Sequence, residues 1–164
     1  MSRFVIDTNV PIVANGRFED DLRQPTDACQ LAALEFLDTA LKKHIILLDD
    51  AGEIQSEYAR YLNPVGQPGV GDRFLLEIIN SHPDRILREP LEKDGNGEFV
   101  DLPQPLIDCN FDPSDRKFAA LASKCEAVVA NATDSDWVEA AEAIQASGIS
   151  VSNLCGCLVQ DWFN

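Results

Sequence analysis

The tightest constraint on this chain is its opening run, Arg3-Phe4-Val5-Ile6-Asp7-Thr8-Asn9. Three apolar residues lead straight into an aspartate, and Thr8-Asn9 with Pro11 then break the run. A short unalternating apolar run with a β-branched centre reads as a buried central strand, the kind found in parallel sheets covered by helices. An aspartate where such a strand leaves its sheet lies at the carboxyl edge, where open parallel sheets keep their ligand crevices.

The remainder repeats the pattern. Residues 10–25 read as a loop with a short helical turn. Thr26-Asp27 opens a helix whose apolar face is Leu31, Leu34, Leu37 and Leu41, closed by Lys42-Lys43 at its dipole-favoured end. A second buried strand over 44–48 ends in Asp49-Asp50. A capping box, Asp50 with Glu53, is expected to start a helix carrying Ile54, Tyr58, Tyr61 and Leu62. Asp72 reads as the cap of a short helix with Phe74, Leu75, Ile78 and Ile79. Turn signals dominate 83–105, which reads as an irregular insert with a small hairpin at Asn96-Gly97. Asp112 as N-cap and Pro113 at the first position start another helix, with Phe118, Ala119, Ala122 and Cys125 on its apolar stripe. A strand over 127–130, a helix over 137–146 and a strand from Ile149 finish the chain. Strands alternating with helices predict an α/β fold: a three-layer α/β/α sandwich around a mostly parallel sheet of four to five strands. At 164 residues this is one domain, 1–164.

Charge narrows the function. Twenty-eight acidic residues against thirteen basic ones give a net charge of −15, the wrong sign for sequence-independent capture of nucleic acid. Any such function must work through local cations, metal ions or a basic partner. No stretch has the apolar length of a membrane span, and a cytoplasmic location is the expectation. The five cysteines include no Cys-x-x-Cys pair, and neither His44 nor His82 has metal-ligand spacing to Cys155 or Cys157. They read as reduced structural thiols rather than as a zinc site or disulfides.

The acids gather by topology. Asp7, Asp134 and Asp136 each follow a strand on the same edge of a parallel sheet. Asp115, expected at the third helical position, can point back across that edge. Such carboxylates raise one another's pKa unless a counter-charge is supplied. Oxygen-only ligation fits one or two Mg²⁺ or Mn²⁺ ions, which activate water and stabilise the leaving oxygen of a phosphodiester.

These residues resemble a family. Phe4-Val5-Ile6-Asp7-Thr8-Asn9, then Asp112-Pro113-Ser114-Asp115-Arg116-Lys117-Phe118 with Leu121-Ala122, then Asn131-Ala132-Thr133-Asp134-Ser135-Asp136-Trp137, are similar in order and separation to the PIN domains. These are metal-dependent nucleases found in toxin–antitoxin pairs and RNA-processing proteins. The resemblance implies metal coordination by Asp7, Asp115, Asp134 and Asp136. It also implies an acid in the helix after the second strand, for which Glu57 is preferred to Glu53 because Glu53 has a capping role to explain it. The activity implied is endoribonuclease cleavage of RNA. A toxin would bring a basic, antitoxin-like protein partner, and a homodimer is a further expectation. The chain departs from the family pattern at Ala132, where many members carry a hydroxyl.

Other readings stand beside these. Asp7 could only close a turn onto Asn9. Asn9 could orient a carboxylate or merely complete that turn. Arg116-Lys117 could steer a phosphate or form a solvated helix face, and Trp137 and Trp162 read as core or interface residues rather than base-stacking platforms. The alternative function is a catalytically silent PIN-like module that binds proteins through its acidic surface. An aspartyl-phosphate phosphohydrolase is set aside, since Asn9 stands where that chemistry needs a second acid.

Overall fold

The computed structural model of the protein describes residues 1–16, 23–80 and 83–164. Five strands form one all-parallel sheet in the order β3-β2-β1-β4-β5. They are β1 (Arg3–Ile6), β2 (Ile45–Asp49), β3 (Ile86–Glu89), β4 (Val128–Asn131) and β5 (Ser150–Asn153). The helices are α1 (Asn9–Asn15), α2 (Asp27–Lys43), α3 (Glu53–Tyr61), α4 (Val70–Asn80), α5 (Gln104–Asp108), α6 (Arg116–Cys125), α7 (Asp136–Glu139) and α8 (Ala141–Ala146). A 3₁₀ turn follows at Val159–Asp161.

The central strands are the apolar ones. Val5, Ile6, Leu48, Val129 and Ala130 have no exposed surface, as strands covered on both faces require. From β1 the chain steps outward to β2 and β3, then crosses back to β4 and β5. With right-handed crossovers, these opposed directions put helices on both faces. α1, α2 and α4 pack together as one layer, while α6 lies across β1, β2 and β4. The reversal falls between β1 and β4, and there an open parallel sheet parts its loops into a crevice.

Several local expectations change. The first part of the 10–25 loop is helix α1, with Pro11 in its first turn where a missing N–H costs nothing; residues 17–22, like His82, lie outside the described residues. In α2 the buried positions are Cys29, Ala33, Leu37 and Ala40, and Leu31 is exposed. α1 packs close beside α2, and small buried residues such as Ala33 and Ala40 suit a close approach. The capping box at Asp50 does not form. Instead Asp49, buried at the end of β2, accepts from the N–H groups of Glu53 and Ile54 at 2.8 and 2.9 Å. Gly52, at φ +83°, makes the left-handed turn that lets it do so.

Asp72 sits inside the first turn of α4 rather than capping it. Its carboxylate accepts from the N–H of Gly69, the N–H of Asn63 and the Asn15 side chain, while Asn15 Oδ1 accepts from its backbone N–H. α1 approaches α4 so closely that a Cβ on Gly71 would lie 2.0 Å from the Pro11 carbonyl oxygen. The stretch expected to be irregular contains β3, which extends the sheet, and a turn at Asp94–Gly97 closed by the Lys93–Phe99 bridge. α6 begins at Arg116, three residues later than expected, because Asp112 caps only a preceding turn through Ser114. The helix expected over 137–146 is two short helices, broken at Ala140.

The cysteines also depart from expectation. Cys29 and Cys155 are joined in a disulfide, because α2 brings its first turn beside the segment that leaves β5. Cys109 and Cys157 are exposed thiols, and Cys125 is half-buried. No helix among the described residues is long and apolar enough to cross a membrane.

Candidate metal centre

Asp7 is the residue at which β1 stops. Its N–H still donates to Ala130 O at 3.0 Å, so its backbone closes the last rung between β1 and β4. Its side chain is 4% exposed. Oδ1 accepts from the Asn9 N–H at 3.2 Å, and Oδ2 accepts from Trp137 Nε1 at 2.6 Å. The turn-closing interaction therefore exists, but it uses only one oxygen. Trp137 is core, as read from the sequence, and packs edge-on to Phe111 with ring centroids 5.0 Å apart. It also aims the carboxylate.

Asp115 occupies the N-cap position of α6. Its carbonyl starts the helix, yet its side chain makes no capping bond and is turned into the fold at 5% exposure. Asp115 Oδ2 is buried and finds no hydrogen-bond partner among the described residues. Asp134 lies in the turn after β4, where its Oδ1 accepts from the Asp136 N–H at 2.9 Å.

Carboxylate oxygens of Asp7, Asp115 and Asp134 all come within 4.8 Å of one another. A second trio, Asp112, Asp115 and Asp136, meets the same limit. Asp115 belongs to both. Asp112 was read from the sequence only as a cap, and it joins the cluster because its short turn folds back before α6.

Two asparagines fix the Asp134 loop. Asn9 Oδ1 accepts from the N–H groups of Ala132 and Thr133 at 2.8 and 3.0 Å. Asn131 Oδ1 accepts from the Asp134 N–H and from Asn9 Nδ2, both at 3.0 Å, while its Nδ2 donates to Asp134 O and Asn153 Oδ1, both at 2.9 Å. Every hydrogen-bonding position of the fully buried Asn131 amide is thus used. Asn9 braces the loop and does not point its side chain at a carboxylate. Asn131 carried no assigned role from sequence, since a strand-end asparagine looks like any turn residue until its partners are known.

Glu57 reaches the same edge from α3. It accepts from Thr8 Oγ1 and pairs with Lys117 Nζ at 2.9 Å. Glu53 points away and pairs with Lys93 at an exposed site, at 2.8 Å. Arg116 is spent on Glu98 and the Phe111 carbonyl, whereas Lys117 stands beside Glu57.

The electrostatics follow from burial. Asp7 is pushed up to about 7, first by desolvation and then by Asp134. Burial, then Asp7 and Asp134, push Asp115 up further, and burial also raises Asp134 and Asp136. Asp112 moves the other way, held low by hydrogen bonds from Ser114. The cluster favours added positive charge, as protons or as a cation. The chemistry of the donor set, all carboxylate oxygen with one oxygen orphaned, fits a hard divalent ion. No protein-family model matches the chain, and no curated protein matches its sequence.

Proposed function

We propose that this chain is a metal-dependent endoribonuclease of the PIN type. The observation that carries the reading is the convergence of Asp7, Asp115 and Asp134, from three separate motifs, within 4.8 Å at the sheet's switch point. The orphaned, buried Asp115 Oδ2 supports a cation there, since a buried carboxylate oxygen without a partner costs stability that an ion would return. Asp7, Asp115 and Asp134 would hold one Mg²⁺ or Mn²⁺ ion, and Asp112, Asp115 and Asp136 a second. When bound, such ions activate water and neutralise charge on the phosphodiester in the transition state.

The protein's part is to hold these acids rigidly. Trp137 and the Asn9 N–H set the plane of the Asp7 carboxylate. The Asn9–Asn131 pair fixes the loop that presents Asp134. Thr8 and Lys117 hold Glu57 beside the trio, where it can accept a proton from water attacking a phosphate. A basic protein partner, as in a toxin–antitoxin pair, belongs to the same reading and draws its support from the net charge of −15.

The test is cleavage of labelled single-stranded RNA in Mn²⁺, with Asp7→Asn run in parallel. Cleavage that chelation abolishes and Asp7→Asn loses supports the nuclease. Intact RNA across varied sequences, with Mn²⁺ still bound, assigns the fold to the silent acidic binding module instead.

A further inference from the structure

The two flanks of the acid cluster differ in charge. On the α7 side, a hollow of about 200 Å³ is lined by Asp112, Asp136 and Glu139, with no cation among its lining residues. On the α3 side, a hollow of about 250 Å³ is lined by two cations, Lys117 and Arg60, and by Glu53 and Glu57, each of which pairs with a lysine. Arg60 also lines the next hollow, about 460 Å³, which holds Asn15, Asn63 and Tyr61. Arg60 thus lines both hollows on the α3 side.

Glu57, Arg60 and Tyr61 stand three and four residues apart, so they lie along one face of α3. Glu57 is neutralised by Lys117, whereas Arg60 is exposed and forms no ion pair with any described residue. In a chain of net charge −15, an arginine left unpaired among the described residues, one turn along α3 from Glu57, is a cation available to a ligand. Tyr61 is 61% exposed, which an aromatic ring does not gain by packing.

We infer that single-stranded RNA runs along the outer face of α3, with a backbone phosphate on Arg60 and an unstacked base on Tyr61. This rests on the nuclease reading for its direction toward Glu57. The strand leaves the cluster on this side because phosphates on the opposite flank would meet three carboxylates. A cation followed by an exposed aromatic ring is the usual means of holding single strands without reading their sequence, and a duplex, whose bases are already stacked, cannot use the ring.

The experiment is fluorescence anisotropy of a fluorescein-labelled single-stranded RNA 12-mer in Mn²⁺, with full-length Asp134→Asn protein so that the probe survives. Tyr61→Ala and Arg60→Ala, both at exposed positions, are made on that background. Each should weaken Kd about five-fold or more, with Tyr61→Phe restoring binding because the ring is kept. Glu139→Ala, on the opposite flank, should not weaken it. Unchanged Kd in Tyr61→Ala and Arg60→Ala overturns the inference, as does a duplex bound as tightly as the single strand, or no binding at all. RNA that binds through Arg60 and Tyr61 but is never cleaved by the unaltered protein sinks the nuclease reading and leaves this surface standing.

Discussion

Replacing Asp7 with asparagine should reverse its effect on stability between acid and alkaline pH in metal-free protein. Asp7 has a folded pKa of about 7, against 3.8 for an ordinary aspartate, because burial and Asp134 disfavour its charge. Its folded pKa is raised, so the folded state holds the proton that the unfolded state has released. Stability is therefore full below pH 3.8 and falls as pH rises toward 7. Holding that proton across the range from 3.8 to about 7 is worth about 4 kcal/mol.

Asparagine removes that loss, but its amide nitrogen must face either the Asn9 N–H or Trp137 Nε1. Two donors opposed in a buried site cost about 1–3 kcal/mol. At pH 8 in chelator, Asp7→Asn should then be more stable than the parent by about 1–3 kcal/mol; at pH 4 it should be less stable by a similar amount. Urea unfolding of the oxidised protein reads this as a midpoint shift of about 0.5–1.5 M, for a slope near 2 kcal/mol per M. A variant weaker than the parent by the same amount at both pH values would refute the reasoning, since Asp7 would then be fully paired within the protein.

Other perturbations test separate parts of the site. In chelated protein, adding Mn²⁺ at a hundred times its dissociation constant should raise stability by about 2.7 kcal/mol, and Asp115→Asn should remove most of that thermal shift. Asn131→Ala should cost about 3 kcal/mol or more in chemical denaturation, because it strands the Asp134 N–H and the Asn9 amide inside the fold. Thr8→Val frees Glu57 from one of its two partners and should lower RNA cleavage about ten-fold while leaving the melting temperature within a few degrees. Glu53→Gln, which touches only an exposed ion pair, should leave cleavage and stability within measurement error.

The features legible in the sequence were those with a local cause. The run into Asp7 located the central strand, and alternation of strands with helices gave the parallel sheet. What stayed hidden depended on neighbours. β3 is hard to see because Ile86–Glu89 is an edge strand of two apolar residues followed by two charged ones, with turn signals on both sides. The capping reading gives Asp50 the acceptor role that Asp49 fills, because only the Gly52 turn lets the strand-ending acid reach the first N–H groups of the helix. Asp112 looked complete as a cap, and its place in a second acid trio arises from the turn that precedes α6. The disulfide is invisible in the sequence because its partners are 126 residues apart, and only the packing of α2 beside the segment that leaves β5 brings them together.

That disulfide closes residues 29–155 into a ring, with β1 and α1 outside it. Everything from the first turn of α2 to the residue after Leu154 lies inside one closed loop, so unfolding cannot let β5 diffuse away from the start of α2. In the chain-entropy picture such a closure favours the folded state by about 5 kcal/mol. β5 has a neighbour on one side only, and the same strand supplies Asn153, which holds Asn131 and through it the Asp134 loop. A covalent clasp at the rim therefore stands guard over hydrogen bonds at the acid cluster. The thiol state of the surroundings becomes part of how firmly the cluster is held.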